Sequence, residues 1–178
     1  MHRLQVAGGA PALTEPGAAG IPDDNVRPNR RSTWGPFLLA GAVVALDQAT
    51  KAWAVAALSD GPVRLIDDVL ALRLTRNPGG AFSLLTGFTP FLAVLAAGLV
   101  VVIVRTTRRT ADAVTAYTLA LVLGGAVGNL IDRLVRSPGF LRGHVIDFID
   151  LSFWPTFNLA DSAITIGVIL ILIRGWRT

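Results

Sequence analysis

Four long apolar runs constrain this chain more than any other feature of its sequence. They extend over about Phe37–Leu58, Phe88–Val104, Val114–Ile131 and Phe157–Ile173. Each run is close to the ~20 residues that an α-helix needs to cross the hydrocarbon core of a bilayer. Hydrophobic residues make up 52% of the chain and charged residues only 16%, which is unusual for a soluble domain. We therefore predict an all-α membrane protein, folded as a bundle of four transmembrane helices.

The first 32 residues have a different composition. Four prolines interrupt stretches that are rich in glycine and alanine, and no apolar periodicity continues through them. Such a segment is typical of disorder, and it lacks the continuous apolar core of a secretory signal peptide. We predict a disordered N-terminal tail over residues 1–32 and a membrane domain over residues 33–178.

Arginines predict the orientation of the helices. They cluster before the first run, between the second and third, and after the fourth: Arg27, Arg30, Arg31, Arg105, Arg108, Arg109, Arg174 and Arg177. In a protein with four crossings these clusters share one side of the membrane, and basic residues favour the cytoplasmic side. The N- and C-termini are therefore predicted to be cytoplasmic.

The two connections on the opposite side, about 59–87 and 132–156, are longer than a turn requires. In the first connection Leu70, Leu72 and Leu74 alternate with less apolar residues, a period of two that is typical of a strand. The stretch 77–80, Asn-Pro-Gly-Gly, reads as a turn. We predict a small extracytoplasmic β-element beside the helix bundle.

Five aspartates stand in or beside the apolar runs, where charge is costly. They are Asp47, Asp132, Asp147, Asp150 and Asp161. An aspartate at the centre of a bilayer costs at least ~2.5–3.5 kcal/mol, so each one needs a partner, water or a proton.

Two of these aspartates have a basic neighbour along the chain. Asp47 and Lys51 are four residues apart, so they lie on one helical face. They either neutralise each other so that the helix can insert, or organise a polar site. Asp132 and Arg133 end the third run, either as an interfacial cap or with Arg133 orienting a carboxylate or a substrate carbonyl. We expect Asp132 and Asp150 to be interfacial.

Asp147 and Asp161 flank the start of the fourth run and fall at the same outer level of the membrane. Two carboxyl groups that meet in a partly dry site share a proton, so one can act as a base while the other polarises a carbonyl. A proton or ion relay, and the separate solvation of two unrelated acids, remain alternatives at this point. The chain has no cysteine, and a carboxylate site at Asp147, Asp150 and Asp161 has no ligand-spacing signature, so neither a metal nor another cofactor is predicted.

Five sequence blocks, in this order, resemble the motifs of bacterial lipoprotein signal peptidase, also called signal peptidase II. They are Asp-Gln-Ala-Thr-Lys at 47–51, Asn-Pro-Gly-Gly-Ala-Phe at 77–82, Gly-Ala-Val-Gly-Asn-Leu-Ile-Asp-Arg at 125–133, His-Val-Ile-Asp-Phe at 144–148 and Phe-Asn-Leu-Ala-Asp-Ser at 157–162. The resemblance extends over about residues 36–173. Each block alone is weakly specific, whereas five in the same order are highly specific.

The resemblance implies an aspartic endopeptidase of the bacterial cytoplasmic membrane. It would cut diacylglyceryl-modified prolipoproteins just before the lipidated cysteine, with Asp147 and Asp161 as the catalytic pair. The matching supporting positions are Asp47, Lys51, Asn77, Gly125, Asn129, Arg133, Asn158 and Ala160. The implied partners are the lipidated precursor and membrane lipids, without nucleic acid, and we expect a monomer. A small proton-coupled transporter and a non-catalytic membrane scaffold are the competing hypotheses.

Overall fold

A computed structural model describes residues 34–79 and 89–176. The predicted disordered tail, the end of the predicted turn at Gly80 and the last two residues of the chain lie outside the described residues.

Four helices form in the described part of the chain, and each is long and apolar enough to cross a membrane. They are α1 (Gly35–Ala57), α2 (Thr89–Arg109), α3 (Ala113–Val135) and α4 (Leu159–Trp176). The four predicted spans are therefore confirmed. The fourth span was predicted from about Phe157; in the structure Phe157 ends a strand, and α4 begins two residues later.

Helix α3 is the centre of the bundle, since it packs against α1, α2 and α4. Its small residues let the neighbouring helices approach closely. Helices in a bilayer depend on such close packing, because lipid tails are as apolar as the side chains and the hydrophobic effect does not drive the helices together. A Cβ built on Gly125 would collide with the Ala160 carbonyl oxygen of α4, and one built on Gly128 would lie 2.5 Å from Asp47 Oδ2 of α1. The two glycines thus bring α4 and α1 against adjacent faces of α3.

The connections between the helices form one antiparallel sheet with the strand order β1-β2-β3-β4. Its strands are β1 (Val63–Ile66), β2 (Leu70–Asn77), β3 (Val145–Leu151) and β4 (Trp154–Phe157). The strand predicted at Leu70–Leu74 is confirmed as the first part of β2. Strands β1, β3 and β4 were not predicted from the sequence, and Asp147 lies in β3 rather than in a linker.

The sheet is fixed to the helix bundle by an apolar cluster at the end of α1. Ala54, Leu58 and Phe148 are buried there, and Leu72 and Leu74 of β2 pack against them. The ring of Phe148 meets the Trp53 ring edge-on, at a centroid distance of 6.3 Å. Because successive side chains of a strand point to opposite faces, Phe148 anchors β3 while its neighbour Asp147 points the other way.

Candidate active site

The first turn of α4 positions one of the two predicted catalytic aspartates. Asn158 caps this helix: its Oδ1 accepts the Asp161 N–H at 2.9 Å, and Asp161 Oδ2 accepts the Asn158 N–H at 3.3 Å. This reciprocal pair has the geometry of a capping box, in which the third helical residue reaches back to the capping residue. Asp161 is therefore held within the first turn of α4, close to the sheet, rather than a full turn inside the helix.

The same Asn158 side chain also reaches the second aspartate. Its Nδ2 donates to Asp147 Oδ1 at 2.6 Å, and on the other side Asn77 Nδ2 donates to Asp147 Oδ2 at 3.0 Å. Asn77 lies at the end of β2, which pairs with β3 so that Thr75 faces Asp147. Asp147 thus receives one amide donor from the sheet and one from the cap of α4.

Asp147 and Asp161 line one cavity of about 240 Å³. The other polar side chains on its wall include Asn77, Asn129 and Arg133. All four residues of β4 complete the wall on one side, together with Val145, Ile164 and Thr165. The space is large enough for several water molecules or for a short piece of extended peptide.

Burial governs the titration of Asp147, which is only 1% exposed. Burial raises its pKa from 3.8 to about 6, and the negative charge of Asp161 acts in the same direction. The amide donors of Asn77 and Asn158 and the charge of Lys51 oppose this shift, because they stabilise the ionised carboxylate. Asp147 therefore retains its proton at a pH where an exposed aspartate has lost it.

Asn129 connects the aspartate pair to a buried cation. Its Nδ2 donates to Asp161 Oδ1 at 2.8 Å, while its Oδ1 accepts from Lys51 Nζ at 2.9 Å. An ammonium group can only donate, so Lys51 requires the oxygen of this amide to face it. The amide nitrogen of Asn129 must then face Asp161. Lys51 therefore fixes the orientation of the amide that donates to Asp161.

Lys51 is also the centre of a buried ion cluster. Its Nζ lies 2.8 Å from Asp47 Oδ2 and 2.8 Å from Asp132 Oδ2, and none of these three side chains is exposed. The predicted pairing of Asp47 with Lys51 is thus present, and Lys51 has a partner for each of its three hydrogens. Asp47 Oδ1 in turn accepts the Ala160 N–H at 3.0 Å, so the cluster helps to cap α4.

Asp132 was expected to be interfacial; it lies near the end of α3 and is enclosed by protein groups. The side chain is fully buried, because Lys51 and Arg136 neutralise it and remove the need for solvent. Its Oδ2 also accepts the Ile146 N–H at 3.2 Å, which attaches α3 to the strand residue that precedes Asp147. Asp132 therefore helps to position β3.

The remaining predicted site residues have identifiable contacts. Gly125 and Ala160 form the close contact between α3 and α4, and Ala160 is fully buried. Arg133 is nine-tenths buried; its Nη1 donates to the Asn129 carbonyl at 3.1 Å, and its Nε has no partner among the described residues. Because Arg133 lines the cavity, its positive charge lies beside any molecule bound there.

Asp150 lies outside the cavity lining. It pairs with Arg73 of β2 and accepts from Thr156 Oγ1 at 3.3 Å, which links three strands of the sheet. Residues 34–79 and 89–176 contain no group of three or more acidic or histidine side chains that could hold a metal ion.

Sequence reasoning missed several contributors. Gln48 Nε2 lies within 3.2 Å of Asp47 Oδ2 and of Asp132 Oδ1, and it therefore joins the two carboxylates that Lys51 also joins. The cavity wall formed by Trp154–Phe157 was also missed. The polar Gln48 inside an apolar run was a usable signal for the first, whereas β4 has no distinctive pattern in its four residues.

Two carboxyl groups on one cavity, one of them buried and the other partly buried, at the end of a bundle of membrane-length helices, define a membrane-embedded protein of the aspartic protease class. Residues 39–177 match the family model described as signal peptidase (SPase) II. The chain belongs to the signal peptidase II family.

Relatives and solved structures agree with this family. The chain is 50% identical to the lipoprotein signal peptidase of Rhodococcus jostii over 77% of its length and 70% of the relative. It is 45% identical to that of Mycobacterium tuberculosis over 93% of its length and 83% of the relative. A bacterial membrane enzyme solved by the in meso method superimposes with a TM-score of 0.70 at 32% identity, covering 80% of this chain and 87% of that one. The protein is thus a multi-pass bacterial membrane protein.

Proposed function

We propose that this signal peptidase removes signal peptides from prolipoproteins with Asp147 and Asp161 as its catalytic pair. The observation that carries the assignment is their common cavity, in which Asn158 donates to Asp147 and forms the capping box with Asp161. A pair held by one side chain keeps a fixed separation and orientation, which general acid–base catalysis on a single water requires.

The charges around the cavity support a pair that carries one proton. Asp47 and Asp132 are matched by Lys51 and Arg136, so that cluster is neutral by itself. Among the residues that the structure describes, Arg133 is the remaining buried cation beside the cavity, and it balances one negative charge. With one ionised and one protonated carboxyl the whole buried assembly is neutral, which is the least costly state in a medium of low dielectric constant.

The chemistry follows from that protonation state. The ionised carboxylate takes a proton from water while the water oxygen attacks the scissile carbonyl carbon. The protonated carboxyl donates to the carbonyl oxygen and gives a gem-diol. Breakdown of the gem-diol breaks the C–N bond, the amine leaves with a proton, and the carboxyl pair returns to its starting state.

The position of the site suits a substrate anchored in the membrane. The sheet and the aspartate pair lie at one end of the bundle, while Arg105, Arg108, Arg109 and Arg174 lie at the other. By the positive-inside rule the arginine-rich end faces the cytoplasm, so the sheet is extracytoplasmic and both termini are cytoplasmic. A diacylglyceryl group on the precursor can then stay among the lipids while the peptide before its modified cysteine enters the cavity.

Cleavage of a defined precursor tests this function. A synthetic diacylglyceryl-modified prolipoprotein is incubated with the purified protein, and the released signal peptide is quantified. Asp147→Asn and Asp161→Asn are expected to abolish release. Asp150→Asn is the matched control, because Asp150 lies on the same strand as Asp147 but outside the cavity lining. Full activity in either cavity variant would contradict the catalytic assignment.

Orientation is tested separately. A cysteine introduced at Ser152, in the exposed turn between β3 and β4, is expected to react with a membrane-impermeant maleimide added to intact spheroplasts. A cysteine at Thr110, just after α2, is expected to react only after lysis. The opposite pattern would reverse the proposed orientation without affecting the catalytic assignment.

A further inference from the structure

Strand β4 is an edge of the sheet that borders the cavity. It pairs with β3 on one side, and no other described strand pairs with it. Edge strands present unpaired backbone N–H and C=O groups, which are ready to pair with an added strand. The question is whether this free edge faces solvent or the aspartate pair.

The residues that line the cavity indicate which way the free edge of β4 faces. Every residue of β4 from Trp154 to Phe157 lines the cavity. Successive side chains of a strand point to opposite faces, so a cavity on one face would touch only alternate residues. The pairing of β4 with β3 has a bulge between Trp154 and Phe157, which can turn two neighbouring side chains to one face but not all four. A cavity that touches four consecutive residues therefore also borders the unpaired edge of the strand.

Pro155 indicates which backbone groups face the cavity. A proline in a strand is tolerated where its missing N–H would point away from the ladder, because it removes no bond there. The free edge then offers the Pro155 C=O, because the N–H and C=O of one residue in an antiparallel strand point to the same side.

The end of the strand leads directly to the aspartate pair. Phe157 is followed by Asn158, whose side chain donates to Asp147 and caps the helix that carries Asp161. A peptide that runs along β4 therefore passes next to both carboxyl groups. Four residues of strand span about 13 Å, enough to hold several residues of substrate.

We propose that the precursor peptide binds as a fifth, extended strand on the free edge of β4, and that this backbone pairing presents the scissile bond to the aspartate pair. The proposal rests on the function proposed above and adds the mode of substrate binding. Backbone pairing of this kind gives affinity that does not depend on the side chains of the substrate. Specificity then depends on the alternate side chains of the peptide and on its lipid. The peptide has to be extended at the cut, because a helical segment has its carbonyls hydrogen-bonded internally.

A backbone scan of the substrate tests the proposal. In a synthetic diacylglyceryl-modified precursor, single amides within three residues of the scissile bond, other than the scissile bond itself, are replaced by esters. A parallel series is N-methylated at the same positions. The ester removes only the N–H, whereas N-methylation also adds bulk, so agreement between the series separates lost hydrogen bonds from steric effects. Cleavage by the unaltered enzyme is measured as kcat/KM for each peptide.

The expected result is an alternation with a period of two. Replacements at amides that face β4 lower kcat/KM by about tenfold, the equivalent of one hydrogen bond, and the intervening replacements change it less than twofold. Equal effects at neighbouring positions, or no effect above twofold anywhere, would overturn the added strand. If the unmodified precursor is not cleaved at all, the proposed function fails instead, and the two failures are thereby distinguished.

The enzyme provides a second test. Pro155→Ala restores an N–H at the free edge and removes no ladder bond, so the variant is expected to fold and to bind the precursor at least as tightly as the parent. Among the ester peptides, the one whose lost N–H lies opposite the Pro155 carbonyl should stay impaired in this variant. A Pro155→Ala protein that loses cleavage while remaining folded would contradict the assigned orientation of the strand.

Discussion

Replacement of Asp147 by asparagine separates the cost of this buried carboxyl group from its chemical role. Burial raises the pKa of Asp147 from 3.8 to about 6. Each pKa unit corresponds to about 1.4 kcal/mol, so ionisation of this group destabilises the folded protein by about 3 kcal/mol. The stability associated with the protonated form is complete below pH 3.8 and is lost as the pH rises through about 6.

Asparagine has nearly the same shape and never ionises, but it carries only one acceptor oxygen. Asp147 accepts from both Asn77 and Asn158, so one of these donors will face an amide nitrogen in the variant. A lost hydrogen bond costs about 1 kcal/mol. We therefore expect Asp147→Asn to be more stable than the parent by about 2 kcal/mol at pH 8 and less stable by about 1 kcal/mol at pH 4. The variant is also expected to be inactive.

Equilibrium unfolding in mixed micelles of a neutral detergent and dodecyl sulfate, at both pH values, measures these differences. Asp150→Asn is the control on the same strand: it removes a pair with the exposed Arg73, and such pairs contribute at most about 1 kcal/mol. The reasoning is refuted if Asp147→Asn is not more stable than the parent at pH 8. It is also refuted if the difference between variant and parent does not change between pH 4 and pH 8.

Three further predictions follow from the contacts of the site. Asn77→Ala removes a donor to the ionised form of Asp147 and should raise the pKa of that group, moving the pH profile of kcat/KM upward; an unchanged profile would contradict this. Lys51→Met leaves two buried carboxylates without their shared cation and should destabilise the protein by about 3–5 kcal/mol in the same unfolding assay; a loss below 1 kcal/mol would argue against the ion cluster. Gly125→Ala places a methyl group against the backbone of α4 and should lower the stability of the folded protein by about 1–3 kcal/mol. Gly98→Ala in α2, where the space is open, is the control and should be neutral or stabilising by up to about 1 kcal/mol. Equal effects of the two substitutions would contradict the proposed close packing.

The helices were predictable because a bilayer imposes a length and a composition on anything that crosses it. The spans were found within a few residues of their observed ends, and the strand at Leu70–Leu74 was found from its alternation. The pairing of Asp47 with Lys51 followed from the helical repeat. These are local patterns, and local patterns can be read from a sequence.

The remainder depends on contacts between distant parts of the chain. β3 reads as a buried apolar stretch with two aspartates, because both of its faces are covered near Asp147 and no alternation survives. The burial of Asp132 also depends on distant contacts. Asp132 ends an apolar run, as an interfacial residue does. Its buried charge is stabilised by Lys51 of α1 and by the Ile146 N–H of β3, both of which are distant in sequence.

The N-terminus of α4 is where these distant contacts converge. Three donors in its cap region are taken by carboxylate or amide oxygens: the Ala160 N–H by Asp47, the Asp161 N–H by Asn158 and the Asn158 N–H by Asp161. Unsatisfied donors at a buried helix start are costly, so α4 can begin at Leu159 only if α1 has delivered Asp47. Once it begins there, the capping amide of Asn158 points at Asp147. Formation of the ion cluster, the start of the helix and alignment of the aspartate pair are therefore one structural event, and a change that moves Asp47 should displace the pair even though Asp47 is absent from the cavity lining.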